Sequence, residues 1–523
     1  MNSTLQTLDL VVLAIYVLVL VGIALWISRS RPGHERDAAD YFLAGRSLPW
    51  WAIGASLIAA NISAEQIIGM AGSGYVIGLA IASYEWTAAI ALILVGKFLL
   101  PIFLAKGIYT MPQFLELRYD RSVKTVMATF WLGVYIFVNL TAVLWLGALA
   151  INTLTGLAMG WGMLFLGAFA VAYSLYGGLK AVAMTDIIQV VLLVLGGLLI
   201  AWLTLDRIAG DAGGPWTGLV MLATQMPDKF HMILDRGHPQ YHNLPGLGVL
   251  LGGLWVMHMS YWGFNQYIIQ RALAARSVAE AQKGIVFAAF LKLLMPLIIV
   301  VPGIAAAVLA PNLAAPDQAY PTMMALAPVG IRGLIFAALV AAIVSSLGSM
   351  MNSVSTIFTM DLYRQVMPGA SQRQLVTVGR LAGLVAIVVA MLAARPLLGG
   401  FEQAFQYIQE FTGFFTPGIC VLFLFGLFWK GATPLGALAA AIGSFVFSLA
   451  FRYGLPQMPF MDRVGYVFLL CAAVLVVVSL LQRRGADPRA IDCSAIGFTT
   501  TTGFNVASAV ITAALIALYA WLW

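Results

Sequence analysis

Two residues put opposite charges into stretches that are otherwise apolar: Glu85 in Ser83-Tyr-Glu-Trp-Thr87, and Lys292 in Phe290-Leu-Lys-Leu-Leu294. A charge at membrane depth costs upward of ~2.5 kcal/mol even on the lenient insertion scale, so each needs an opposite charge or a wet cavity. Two chemistries follow: a structural ion pair between segments, or a polar site in which opposite charges and amides bind hydroxyl groups. Gln66, His258 and Gln409 lie on other apolar segments at comparable depth and favour the second. Together they offer many donors and acceptors but little net charge, as a neutral polyhydroxyl ligand requires. Tyr261, with Trp262 beside it, can form an apolar floor for the C–H face of a pyranose ring. Taken alone, an aromatic pair in such a segment more often packs, and a lone histidine more often serves as a hydrogen-bonded core residue. The set carries the reading.

Ser345-Ser346 is a second constellation. A small hard cation takes oxygen ligands, which two adjacent hydroxyls help to supply, with carbonyls freed at a broken helix completing the shell. The competing use is an ordinary interhelical hydrogen bond. Gly72-x-Gly74-x-x-x-Gly78 has the wrong spacing for a dinucleotide fingerprint and follows no strand. The sequence presents no nucleophile–base–orienter triad, metal-ligand cluster or phosphate loop, which argues against an enzyme.

The elements that position these residues must be membrane spans. The 523 residues are 62% hydrophobic and 9% charged, far from the roughly quarter charged of a soluble domain. About fourteen apolar runs of spanning length recur, near 8–28, 50–73, 79–105, 124–150, 159–178, 184–207, 246–270, 284–310, 330–360, 377–396, 403–428, 433–451, 464–482 and 503–523. They are apolar on every face, unlike the alternating strands of a β-barrel, so the expected fold is all-α and polytopic. Cys420, Cys471 and Cys493 show no paired spacing and read as small core thiols.

With Met1 outside, about 19 of the 28 Lys and Arg residues fall in inner loops, a positive-inside bias that accounts for the formal charge of +7. Residues 1–9 carry no Lys or Arg, so the first run reads as a retained span and not as a signal peptide. Both termini are expected outside, in a bacterial inner membrane.

The longest polar stretch, 208–245, separates two groups of five runs, 50–207 and 246–428; 1–49 precedes them and 429–523 adds helices after them. Because five is odd, the second group starts on the opposite side from the first, as an inverted repeat requires. The first run of each group is interrupted. Asn61, Ser63, Glu65 and Gln66 break one, and Gly252 and Gly253 followed by His258, Ser260, Asn265 and Gln266 break the other. Broken helices at membrane depth expose carbonyls and amides that must line a cavity or bind something.

Asp40-Tyr-Phe-Leu-Ala-Gly-Arg46, Asn61-Ile-Ser-Ala-Glu-Gln66, Ala80-Ile-Ala-Ser-Tyr-Glu-Trp86, Tyr173-Ser-Leu-Tyr-Gly-Gly-Leu179, Tyr261-Trp-Gly-Phe-Asn-Gln266, Ser345-Ser346 and Ala404-Phe-Gln-Tyr-Ile-Gln-Glu410 resemble the sodium/solute symporter family. The likeness is to its bacterial sodium/galactose branch, kin of the sodium/glucose cotransporters. It runs from about residue 40 to 430, and more weakly beyond. The resemblance implies a ten-helix core of two inverted five-helix repeats. It implies a sodium site on the carbonyls of Ala59, Ile62 and Ala342 and the hydroxyls of Ser345 and Ser346. It implies sugar contacts from Gln66, Glu85, Lys292 and Gln409, with Tyr261 stacking beneath the sugar as an inner gate. Met70, Tyr84 and Phe405 match a hydrophobic outer gate, and Asp186 an acidic residue on the ion's inward exit path. His258 stands where the branch has Asn, and Ala88 where it has Ser, so the preferred epimer is open.

The favoured expectation is sodium-driven hexose uptake by alternating access, with sodium as coupling ion, a sugar as substrate, and neither nucleic acid nor a required protein partner. An inositol, another polyol or a different small solute is the alternative cargo. A sugar sensor that binds without transport is the alternative class, and it predicts saturable binding without sodium-driven uptake.

Overall fold

The computed structural model describes residues 5–27, 47–108, 110–176, 179–400, 403–482 and 485–523. The motif Asp40-Tyr-Phe-Leu-Ala-Gly-Arg46 lies outside these, as do Gly177 and Gly178 of the motif at 173–179. The described chain is helical, and its only β feature is an isolated bridge between Leu48 and Ala275. Helix α1 spans Thr7–Ile27. Helix α2, Trp50–Asn61, starts after Pro49 and ends where Ile62 turns extended, its amide bonded to the Ile58 carbonyl. The chain resumes as a π-helical turn, Glu65–Met70, and continues as α3, Ala71–Ile77. The two halves are bent by 61° at the break. Gly78 closes α3 at φ +93°, a conformation that costs glycine little and other residues much.

Ser83–Leu94 forms α4, which carries Tyr84, Glu85 and Thr87. Leu179–Ala209 forms α5, which carries Asp186. The second interrupted segment breaks twice. After Leu247–Leu251, Gly252 leaves helical geometry; α6, Gly253–His258, then runs into a π-helical turn, Met259–Phe264. Asn265 is extended before α7, Gln266–Leu273. Helix α8, Val278–Leu309, is N-capped by Ser277 and carries Lys292 at its middle. Helix α9, Ile331–Thr356, carries Ser345 and Ser346. Ala404–Thr412 (α10) and Thr416–Phe428 (α11) form a second bent pair, at 46°.

Among the described residues, nine helices are long and apolar enough to span a membrane, or eleven if each bent pair counts as one span. The remaining expected runs are also helical, as α1, as Met159–Tyr176 and as the interrupted series from Leu247 to Leu273. Burial separates centre from rim. The most apolar window of the span that begins with α9 is 89% buried, whereas the windows of the last three helices, α12 (Pro434–Gly454), α13 (Phe460–Gln482) and α14 (Thr502–Trp521), are 33%, 28% and 22% buried. The former sits in the protein interior, and the latter turn most of their surface outward, as lipid-facing helices do.

Charges tie the outer helices to the centre. The fully buried Asp9 of α1 accepts hydrogen bonds from Arg332 at 2.7 Å and from the amides of Gly330 and Gly333, at the start of α9. Glu410 of α10 pairs with Arg463 of α13 at 2.9 Å and with Arg452 of α12.

Candidate functional site

The break after Asn61 positions two clusters, one on each side of α2. On the first side lies a cavity, with about 850 Å³ of atom-free space when its opening is included. Gln66, Glu85, His258, Tyr261, Lys292 and Gln409 all line it, and so do Met70, Tyr84 and Phe405. Lys292 Nζ donates to Glu85 Oε2 at 2.6 Å, with both side chains almost fully buried, and also donates to Asn61 Oδ1. The same ammonium lies 4.9 Å from the centre of the Trp262 ring, where the π face attracts it. The pair therefore answers to both sequence readings: it is an ion pair, and it forms cavity wall.

Asn61 Nδ2 donates to the Tyr261 hydroxyl at 3.2 Å, which in turn contacts the Tyr267 hydroxyl at 2.8 Å. The Tyr261 ring meets Trp262 edge-on. Gln409 donates to Glu65 at 3.3 Å. Tyr84 and Phe405 make a T-shaped contact, with centroids 5.0 Å apart, and Met70 is buried. Two buried wall atoms, Gln66 Oε1 and the Tyr84 hydroxyl, have no hydrogen-bond partner among the described residues. Buried polar atoms are rarely left unmatched, and at a cavity wall a bound ligand or water is their natural complement.

His258 is buried, and its Nε2 lies 2.7 Å from Thr87 Oγ1. The Thr87 hydroxyl donates its single proton to the Ser83 carbonyl, so it accepts from the imidazole, which assigns the proton to Nε2. His258 is thus braced against α4, the helix that carries Glu85.

On the other side of α2 a second set of buried polar side chains bond one another. Asp186 accepts from Ser345 Oγ and from Ser56 Oγ, each at 2.9 Å. Arg271 donates through Nε to Ser56 at 2.9 Å, lies 3.6 Å from Asp186, and donates to the Tyr267 carbonyl. Ser345 and Ser346 are both buried, and Ser346 Oγ has no hydrogen-bond partner among the described residues. Ala59 and Ile62 flank the end of α2, where the break deprives the last carbonyls of successors along the helix. Ala342 lies one turn before Ser346 on α9. The donor set is all oxygen, as a hard monovalent cation prefers.

Residues 41–443 match the sodium:solute symporter family. The chain belongs to that family. It is 51% identical to a sodium/glucose cotransporter from Vibrio parahaemolyticus, across 99% of this chain and 99% of that one. It is 33% identical to a sodium/myo-inositol cotransporter 2 from Sus scrofa, across 93% of this chain and 78% of the other. The solved structure of a Na⁺-coupled sialic acid symporter, substrate-bound and outward-open, superposes with a TM-score of 0.79 over 92% of this chain and 99% of that one. At 23% identity this establishes the shared fold. The protein is a multi-pass membrane transporter that couples solute movement to Na⁺.

For this symporter, sequence reasoning missed five participants: Asn61 and Glu65 as cavity contacts, Thr87 as partner of His258, and Ser56 and Arg271 around Asp186. Asn61 and Glu65 had a signal, as polar residues at the break. Ser56 and Thr87 had none, because single hydroxyls are common in membrane helices and usually bond their own backbone.

Proposed function

We propose that the protein carries a hexose inward with sodium by alternating access. The observation that carries this reading is the cavity wall. Two buried oxygens, on Gln66 and Tyr84, have no partner among the described residues and share the wall with the buried Glu85–Lys292 pair and the Tyr261 and Trp262 rings. Such a wall offers hydroxyl partners of both kinds together with an apolar face. In this reading Gln66, Glu85, His258, Lys292 and Gln409 bind sugar, Tyr261 closes the inner side, and Met70, Tyr84 and Phe405 close the outer side. Sodium takes the carbonyls of Ala59, Ile62 and Ala342 and the hydroxyls of Ser345 and Ser346. The unmatched Ser346 Oγ supports that site. Ser345 is compatible with it, since a hydroxyl that donates to Asp186 keeps its lone pairs for a cation. Asp186 then receives the departing ion.

The repeats are 50–207 and 246–428, each opening on an interrupted helix, joined by 208–245 and flanked by 1–49 and 429–523. Both termini lie outside, in a bacterial inner membrane. Contacts support this: Leu5 bonds the Leu154 carbonyl, and Met232 of the 208–245 loop bonds the Leu522 carbonyl, pairing each terminus with a loop assigned to the outer face. At one sodium per sugar, a tenfold gradient gives ~1.4 kcal/mol and 100 mV adds ~2.3, enough for roughly 500-fold accumulation.

A second cargo, inositol or another polyol, is favoured by the sodium/myo-inositol cotransporters among the relatives. Initial rates of sodium-dependent uptake in proteoliposomes, for a panel of labelled hexoses, inositols and polyols, test both. Sodium-driven uptake of a hexose at the highest kcat/KM is the expected result. Preference for inositol selects the second reading, and saturable binding without uptake sinks both.

A further inference from the structure

Asp317 sits in a single 3₁₀ turn, Pro316–Gln318, between α8 and α9 and outside the spanning segments, yet it is only 4% exposed. Its Oδ2 accepts from the amide of Ala404 at 3.0 Å. Ala404 is the first residue of α10, next to Phe405. Its Oδ1 has no hydrogen-bond partner among the described residues and lies against Gly72 of α3, where any side chain would strike the carboxylate. Met70 is two residues before Gly72. One carboxyl group therefore touches both helices that bring Met70 and Phe405 together.

The surroundings contain nothing to neutralise a charge there. The segments packed on this turn are Glu65–Met70, α3, Thr141–Thr155 and Ala319–Met324, with α10 reached through Ala404. Their titratable side chains are Glu65, Tyr75, Tyr320, Tyr407 and Glu410. Glu65 is held by Gln409, Tyr75 by the Pro311 carbonyl, Tyr407 by the Phe137 carbonyl, and Glu410 by Arg452 and Arg463. Tyr320 is buried on the adjoining turn. Glu402, two residues before Ala404, lies outside the described residues. Among the described residues, no Lys, Arg or His pairs with Asp317. An ionised carboxylate with one amide donor and no cation is costly to bury, and the neutral acid is not.

We propose that Asp317 is a proton-binding latch on the gate: protonated, it lets α10 close against α3, and ionised, it favours their separation. This rests on Met70, Tyr84 and Phe405 being a gate. Burial pushes the Asp317 carboxyl up to about 7 in the closed arrangement, with the Ala404 amide opposing. Opening admits water and returns the group to the usual carboxylate range near 4. The sign follows from the raised value. The proton's stabilisation of the closed gate is complete below the ordinary value and is lost as pH rises through about 7. Opening therefore becomes easier from about pH 4 to about pH 7, and levels off above.

The test places a cysteine at Ile408, which lines the cavity, in a Cys493→Ser background where Cys420 and Cys471 are buried. Labelling by an impermeant maleimide is timed from pH 5 to pH 8 in this parent and in the same protein carrying Asp317→Asn. Asparagine keeps an acceptor for Ala404 and stays neutral, so it mimics the protonated latch. The ratio of the two rates cancels the intrinsic titration of the thiol. It should already exceed one at pH 5, rise by more than about tenfold further towards pH 7, and then level off. Asp317→Glu keeps an acid and should keep the rise, even if the Asn variant is poorly recovered. A ratio constant with pH, or a Glu variant without the rise, overturns the proposal. Phe405→Ala is the separate control for the gate. If it leaves Ile408→Cys labelling unchanged, the gate assignment fails, and the latch with it.

Discussion

The two clusters at the break in α2 are both buried and both polar, but they are built differently. The cluster proposed for sugar lines a cavity, where Glu85 and Lys292 pair directly and two wall oxygens have no partner among the described residues. The cation-side cluster is closed on itself: Ser56, Asp186, Arg271 and Ser345 satisfy one another, and Ser346 Oγ alone among these side chains is left over. A sugar needs volume and many partners, so its site must be partly empty before binding. A dehydrated monovalent cation needs little room, so its site can be preformed and tightly packed. The clusters are joined by a chain of contacts, from Lys292 through the side chains of Asn61, Tyr261 and Tyr267 and then from the Tyr267 carbonyl to Arg271 and Asp186.

The largest test of this contrast is Lys292→Met, which leaves Glu85 buried without its cation. Such a loss costs about 3–5 kcal/mol, so thermal stability in detergent should drop and uptake should vanish. Adding Glu85→Gln removes the stranded charge and should restore stability but not sugar binding. Recovery of both would reduce the pair to a structural tie. Next in size is Glu85→Gln alone, which should weaken sugar binding by about 1–3 kcal/mol while sodium binding measured without sugar changes little. Equal losses in the two assays would erase the distinction between the clusters.

On the cation side, Ser346→Ala removes the unmatched oxygen and should lower apparent sodium affinity by about tenfold, or ~1.4 kcal/mol. The sugar KM at saturating sodium should stay close to the parent's. An unaltered sodium dependence at normal protein abundance would remove Ser346 from the site. The smallest effect is expected at His258→Asn, where one imidazole hydrogen bond to Thr87 is exchanged for an amide. The relative uptake of glucose, galactose and mannose should shift by about 0.5–1.5 kcal/mol, with sodium dependence unmoved. Thr87→Val should shift the ranking in the same direction, and an unchanged ranking in both would leave the histidine a packing role.

The contrast also explains what could be read from sequence. Glu85 and Lys292 stand out because charge is rare in apolar runs, and Asn61, Glu65 and Gln66 because they interrupt one. The helical, polytopic fold followed from apolar run length, and the helices observed fall on those runs. The second break was legible as one run of Gly and polar residues, whereas the structure interrupts the helix at two separate points, Gly252 and Asn265. Ser56, Thr87 and Arg271 were invisible as partners, since their contacts lie 130 to 215 positions away along the chain. Asp317 reads as a polar loop residue until Ala404 and Gly72 are seen to enclose it.

The tie between Asp9 and Arg332 bears on the history of the chain. Helix α1 stands outside the proposed ten-helix core, and an accessory part of that kind is ordinarily easy to shed. Here its loss would leave a guanidinium buried at the head of α9 without its carboxylate, at a cost of about 3–5 kcal/mol. A lineage could discard the helix only after replacing Arg332, and replacing Arg332 first would strand Asp9 instead. Each residue holds the other in place, so no single substitution frees the helix without stranding a buried charge.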